Sequence, residues 1–455
     1  MLFSTRLMRL IYVTLVMTLS TQAYSSSTIS TQQKIFGLSH FWREVTYNFG
    51  HWQHVPDLDW DKAYQQALPT IMATQSDLAY YREMQRFCAL LKDGHTNIYL
   101  PEDLKRNVLG RLPMTLVELQ HRAIVDNIAA NLAKKVPIGS ELLSIDGVPV
   151  ATLVEQHIIP LISTSAPHKY WDMAVTSPRN HGLGLLVGER NRQVALGFVT
   201  PGGDHITIDS QYLPEDQQIS WAEPLRDKPL MEFRMMANGV VYIALNYFSR
   251  PEIVEAFKSK LSILQKASGI ILDLRRNGGG SGSIAAEILA HFTEQPFYGT
   301  AWQTPKHIAA YRAWGSVRDE YKDFHSLRAI HQESATLRTP AAGQKLKAPT
   351  MVLIGKHTAS AAEDFLIMAD NIPHILFVGE PTHGSTGQPY YFSLPGGGRA
   401  RVSTKHDTYP DGREYIGVGI QPDVLVRPSL TNIREGDDPV LSEALRQLAI
   451  PLPVY

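Results

Sequence analysis

Apolar positions along the chain change their period twice, and the changes divide it into regions. From Phe36 to about Leu104 they recur at helical spacing: Tyr64, Ala67, Leu68 and Ile71 form one stripe, and Met84, Phe87, Cys88 and Leu91 form another within Tyr80–Leu91. Pro69 is expected to interrupt the first helix, because proline removes an N–H and crowds the preceding turn. The second is expected to stop at Asp93-Gly94, where glycine can take the left-handed turn that ends helices. Between about Arg111 and Pro229 the pattern reads as β. Glu141–Ile145 is followed by the turn signal Asp146-Gly147, and Gln193–Phe198 by Pro201-Gly202-Gly203. From about Glu232 apolar strands alternate with helical stretches. Strands are expected at Val240–Leu245, Gly269–Leu274 and Thr350–Ile354, and helices at Ile253–Leu264, Ile284–Phe292 and Ala361–Ala369. That alternation implies a largely parallel sheet flanked by helices. The stretch from Phe292 to Thr350 is expected to hold helices of its own, since loops that long are rarely structureless.

A chain of 455 residues suits two or three domains. Its 43 basic and 44 acidic side chains nearly cancel, and no long run of one sign appears. A nucleic-acid partner therefore has no electrostatic footprint here. The first residues differ in kind: Arg6 and Arg9, an apolar run from Leu10 to Leu19, then small and polar residues. The pattern predicts a secretory signal peptide over residues 1–23, cleaved after Ala23, and hence an exported, periplasmic protein. The run is far short of the roughly 20 residues that span a bilayer, so no stable membrane insertion is expected. The single cysteine, Cys88, cannot form an internal disulfide and reads as a small core residue in its helix.

Three segments could carry chemistry. In Lys356-His357-Thr358-Ala359-Ser360-Ala361-Ala362-Glu363, Ser360 follows an apolar strand and opens a helix, where free N–H groups can stabilise an oxyanion. On local sequence alone, a plain helix cap is the commoner role for a serine there. In Asp273-Leu274-Arg275-Arg276-Asn277-Gly278-Gly279-Gly280, three glycines after a buried strand let backbone approach a ligand closely, or simply make a flexible turn. Gly280, Gly282 and Ala285 also fit G-x-G-x-x-A, but no acidic partner follows at about 20 residues. In Asp93-Gly94-His95-Thr96, His95 is one of 17 histidines. There is no H-E-x-x-H and no G-x-S-x-G, so a zincin site and the α/β-hydrolase fold lose support. His51 and His54 share a helix-like spacing but have no recognisable third ligand, and read as surface residues.

Taken in order, these segments resemble the S41 peptidase family, which includes the tail-specific (C-terminal processing) proteases and the tricorn core protease. The resemblance runs through Asp93–Thr96, Asp273–Gly280, Thr358–Glu363 and Gly379–Gly387, and ends at Gly417-Val418-Gly419-Ile420-Gln421-Pro422-Asp423. It implies an α/β fold: a crotonase/ClpP-like core over residues 232–455, preceded by an N-terminal helical region over 34–105 and a β-rich, PDZ-like module over 111–229. It also implies Ser360 as nucleophile, with the N–H of Ala361 and one from the loop of Gly279 and Gly280 as oxyanion hole. Tail-specific members carry a lysine base at the position of Ser385, and a hydroxyl is far too weak a base to replace it. The tricorn-like branch takes a histidine from the Asp-Gly-His-Thr segment, which makes His95 the general base, with an ordinary pKa of about 6.5 suited to the task. Glu414 is the expected orienting acid, with Gln388 and Ser385 as possible polar support. On this reading Ser385 merely fills the lysine position and its loss should be tolerated.

The expected activity is thus exported serine endopeptidase, acting on peptides or unfolded protein, with no metal or organic cofactor implied. A non-catalytic protein binding a hydrophobic ligand or peptide on the same scaffold is the alternative, since fold alone does not separate the two.

Overall fold

A computed structural model of the chain describes residues 28–176, 182–225 and 228–449. The expected signal peptide at 1–23 lies outside the described residues.

The later half is built on a six-stranded sheet in the order Met231–Met235, Val240–Leu245, Gly269–Asp273, Thr350–Ile354, Ile375–Gly379 and Val424–Leu425. The first pair is antiparallel and the other four are parallel. The middle strands are buried along their whole length, which explains their unbroken apolar runs rather than alternation. Helices Gly282–Leu289 and Ala361–Ala369 pack on one face around Leu272, Val352, Phe365 and Phe248. Helix Pro439–Leu448 covers the other face through Val440 and Ala444. The helix expected over Ile253–Leu264 is two short helices, Glu252–Lys258 and Leu261–Leu264. The stretch after Phe292 holds short helices at Ala309–Trp314 and Lys322–His325, together with strands, one of which, Ala301–Pro305, pairs with His406–Thr408.

The residues between these two outer regions form a mainly antiparallel sheet, Met114–Leu119, Arg122–Ile128, Glu141–Ile145, Gln193–Val199 and His205–Gln211, around its own apolar core. The N-terminal region contains helices Thr31–Asn48, Trp60–Ala73 and Asp77–Ala89. Its core of Leu38, Phe41, Tyr80, Tyr81 and Phe87 is completed by Phe392, Ala400 and Val402 from far along the chain. Those three belong to a hairpin, Pro389–Ser393 with Arg399–Ser403, whose second strand also pairs with Asn97–Tyr99.

Two local expectations fail in this region. The helix Trp60–Ala73 runs through Pro69 and ends four residues later, because a proline so near the end removes little of the ladder while packing holds the rest. The helix Asp77–Ala89 is closed by Lys92, at φ 47°, rather than by Gly94, which is not left-handed. Gly94 is needed for space instead: a Cβ there would stand 2.5 Å from Ser385 Oγ and 3.2 Å from His383 Nε2.

Candidate active site

Ser360 sits between the buried strand Thr350–Ile354 and a helix of which every residue but Asp364 is buried. Its backbone is at φ 55°, ψ −125°. An ordinary N-cap residue has β-region dihedrals, and a positive φ in a residue with a Cβ is strained. The sharp turn between strand and helix leaves Ser360 partly exposed, and it brings the Ala361 N–H, a donor with no partner inside its helix, to the same corner. Gly279 lies against that corner: a Cβ on it would stand 2.6 Å from Ser360 Cβ and 3.0 Å from Ala361 N. Its N–H already donates to Asn277 Oδ1 at 2.9 Å. Gly280, at φ 141°, bridges in parallel to Phe248, with no room for a side chain.

Glu363 binds the corner together. It is fully buried, and its Oε2 accepts from Ser360 N at 2.9 Å and Ser385 N at 3.3 Å. Its Oε1 accepts from Thr382 Oγ1 and Gly384 N, both at 2.6 Å. Burial pushes this carboxyl up to about 7, against four donors that all favour the ionised form.

His95 arrives from the N-terminal region, and its Nδ1 lies 2.7 Å from Ser385 Oγ. The same carboxylate therefore organises both Ser360 and the loop that holds His95. Burial first, and then the charge of Arg401, bring the imidazole down to about 3, so the ordinary value of about 6.5 expected for a general base does not hold in this packed site. Arg401 also fastens the turn, donating to Gly94 O at 3.1 Å and Asn97 Oδ1 at 2.8 Å. Asp93 is buried beneath it and accepts from Ser403 Oγ at 2.6 Å. Burial alone would raise that carboxyl, but His51 and His95, together with hydrogen bonds from Ser403 and Thr96, hold it below its ordinary value. A third segment closes the arrangement from the antiparallel unit. Ser163 Oγ donates to Asp93 O at 2.8 Å, Ser165 Oγ to Gly384 O at 3.0 Å, and His168 Nε2 lies 2.9 Å from Thr382 O.

Ser360, Ala361, Gly279, His95 and Ser385 are thus brought together around Glu363. Among the described residues no hydrogen bond joins His95 to the Ser360 hydroxyl. Glu414 is directed elsewhere, with Oε1 3.0 Å from His406 Nε2, and Gln388 is exposed, its carbonyl accepting from Thr404. His51, expected at the surface, is fully buried, and His54 beside it is half-buried. The sequence reading passed over Glu363, although S-x-x-E over 360–363 is the spacing of a capping box and could have singled it out.

A serine at positive φ opening a helix, with the Ala361 N–H at its corner and His95 held on the adjoining Ser385 loop, is compatible with a serine hydrolase. The family model described as Peptidase family S41 matches residues 239–426. A carboxyl-terminal-processing protease from Picosynechococcus sp. is 30% identical over 366 residues, which cover 76% of this chain and 72% of that protein. The structure of mature CPAF complexed with lactacystin superposes with a TM-score of 0.69 at 14% identity, covering 92% of this chain and 97% of that one. A candidate peptidase from Parabacteroides merdae gives a TM-score of 0.53 at 17% identity, over 92% and 97%. The protein is a serine peptidase of mixed helix-and-sheet fold. It belongs to peptidase family S41. No helix among the described residues is long and apolar enough to cross a membrane.

Proposed function

We propose that the chain is an exported endopeptidase that cleaves peptides or unfolded proteins, in the manner of a carboxyl-terminal-processing protease, through an acyl-enzyme on Ser360. His95 is the general base, so the chemistry is tricorn-like and uses no lysine. With Nδ1 committed to Ser385, His95 has Nε2 free for the Ser360 proton. In unliganded enzymes such contacts are commonly long and tighten when substrate binds. Ser360 Oγ then attacks the scissile carbonyl, and its proton passes to His95 Nε2. The negative charge forms against the Ala361 N–H and a donor of the Gly278–Gly280 loop. The imidazolium returns the proton to the leaving amine, and water repeats the sequence to release the acid. Ser385 orients the base, and Glu363 holds Ser385 and Ser360 in register. The antiparallel unit is read as a PDZ-like module presenting substrate, and the six-stranded half as a crotonase/ClpP-like core.

The observation that carries this reading is the backbone of Ser360, since a helix cap has no need of φ 55°. The test is hydrolysis of a denatured polypeptide by the mature chain, with cleavage products mapped by mass spectrometry. Ser360→Ala and His95→Ala should each lower the rate by about a thousandfold or more with unchanged circular dichroism. Retention of most activity in His95→Ala would remove the histidine from the mechanism.

A further inference from the structure

His51 precedes and His54 ends a short helical turn, Trp52–His54, after the first long helix, and His406 begins a strand more than three hundred residues later. The structure brings the three imidazoles into a triangle. Ring centroids are 5.5 Å apart for His51 and His54, and 5.1 Å apart for each with His406. One nitrogen from each lies within 4.8 Å of the others. Three imidazoles sharing one tetrahedral ion, with metal–nitrogen bonds of about 2.0–2.1 Å and about 1.1 Å from nitrogen to ring centre, would have centroids about 5.2 Å apart.

The partners of the ring nitrogens agree with that geometry. His51 Nδ1 and His406 Nδ1 face each other at 3.2 Å. Two ligand nitrogens at tetrahedral vertices would stand about 3.3 Å apart. The Glu414 carboxylate lies on the far nitrogen of His406, so Nε2 carries the proton and Nδ1 presents its lone pair to the cluster. A carboxylate behind a histidine is the usual arrangement at a metal. His51 has no exposed surface, and its Nε2 has no hydrogen-bond partner. Asp93 Oδ1 is also buried without one.

We propose that His51, His54 and His406 bind one divalent first-row transition ion, with zinc the best match, backed by Glu414 and with a fourth position for water. Neutral imidazoles suit zinc, copper and nickel rather than calcium or magnesium. The ion fastens the 51–54 turn to the strand that begins at His406. Gly50 N already donates to Ser403 O at 2.8 Å, and Ser403 holds Asp93, so the ion reinforces the joint that carries the His95 turn.

The test is calorimetric titration of zinc into the untagged, chelator-stripped mature chain, with thermal unfolding in parallel. One equivalent should bind with micromolar or tighter affinity and raise Tm. Cobalt(II) in place of zinc should give the visible absorption of a tetrahedral site. His54→Gln, at the least buried of the three, should abolish the stoichiometric binding and the cobalt spectrum while keeping the fold. Glu414→Ala should weaken binding by about 10- to 100-fold. Absence of saturable binding by the wild type, or equal affinity in His54→Gln, would overturn the assignment.

Discussion

Ser360 holds a backbone conformation that costs a residue with a Cβ about 1–3 kcal/mol, and glycine adopts it without that cost. Ser360→Gly should therefore unfold at a higher Tm than Ser360→Ala, by about 1 kcal/mol or more in stability. Equal Tm values in the two variants would mean that the turn is not strained. The sequence makes Ser385 the filler of the lysine position and at most a polar support, and in the structure its hydroxyl lies on the Nδ1 of His95. Ser385→Ala should lower kcat by about 10- to 100-fold with little change in KM, as expected for a group that only orients the base. Unchanged kcat would leave Ser385 as the filler alone. At this scale Ser360 and His95 stand out as candidates because each belongs to an ordered set of motifs. The side chain that holds His95 was not legible, because Glu414 and Ser385 could be told apart only by where the loops run. The same limit hid the third histidine from His51 and His54, since His406 joins them through tertiary structure alone.

Elements were legible where a period is sustained. The buried strands and the helix after Ser360 fall where the apolar runs predict them, because a strand covered on both faces leaves no polar positions to confuse the reading. Their ends were harder to read. Gly94 looked like a helix stop, whereas Lys92 makes that turn and Gly94 makes room for Ser385. The glycine loop offers a sharper test of element packing. Gly279→Ala would drive a methyl group to within 2.6 Å of Ser360 Cβ and 2.7 Å of Ala359 O, at a φ of 98°. We expect activity to fall by about a hundredfold and stability by about 1–3 kcal/mol. Gly278→Ala, where nothing lies within 4 Å of the new methyl, should keep a Tm near that of the wild type. Hydrolysis rates and thermal melts of the two variants check this, and equal effects would contradict it.

At the scale of the whole molecule, the site exists because three parts of the chain meet: the Asp93–His95 turn, the Ser163–His168 segment and the loop around Glu363. The order of motifs foretold that the first and last must meet. The hairpin that completes the N-terminal core was not foretold, since Phe392, Ala400 and Val402 lie far along the chain from the helices they pack on. Burial of His95 has a consequence for acid stability. Its folded pKa, about 3, is below the unfolded value of about 6.5, so its neutral form contributes in full above about pH 6.5. That contribution is lost as pH falls toward 3. The Tm difference between wild type and His95→Gln should accordingly narrow from about pH 7 to about pH 4.5. A difference that stays constant would show that His95 titrates normally in the fold.

The central claim, that Ser360 is a nucleophile activated by His95, is tested most directly by the rate at which a fluorophosphonate labels the intact protein. We predict a single adduct, mapped by mass spectrometry to the peptide containing Ser360, absent in Ser360→Ala and formed at least about a hundredfold more slowly in His95→Ala. Labelling at another residue, or at equal rates in wild type and His95→Ala, would contradict the account.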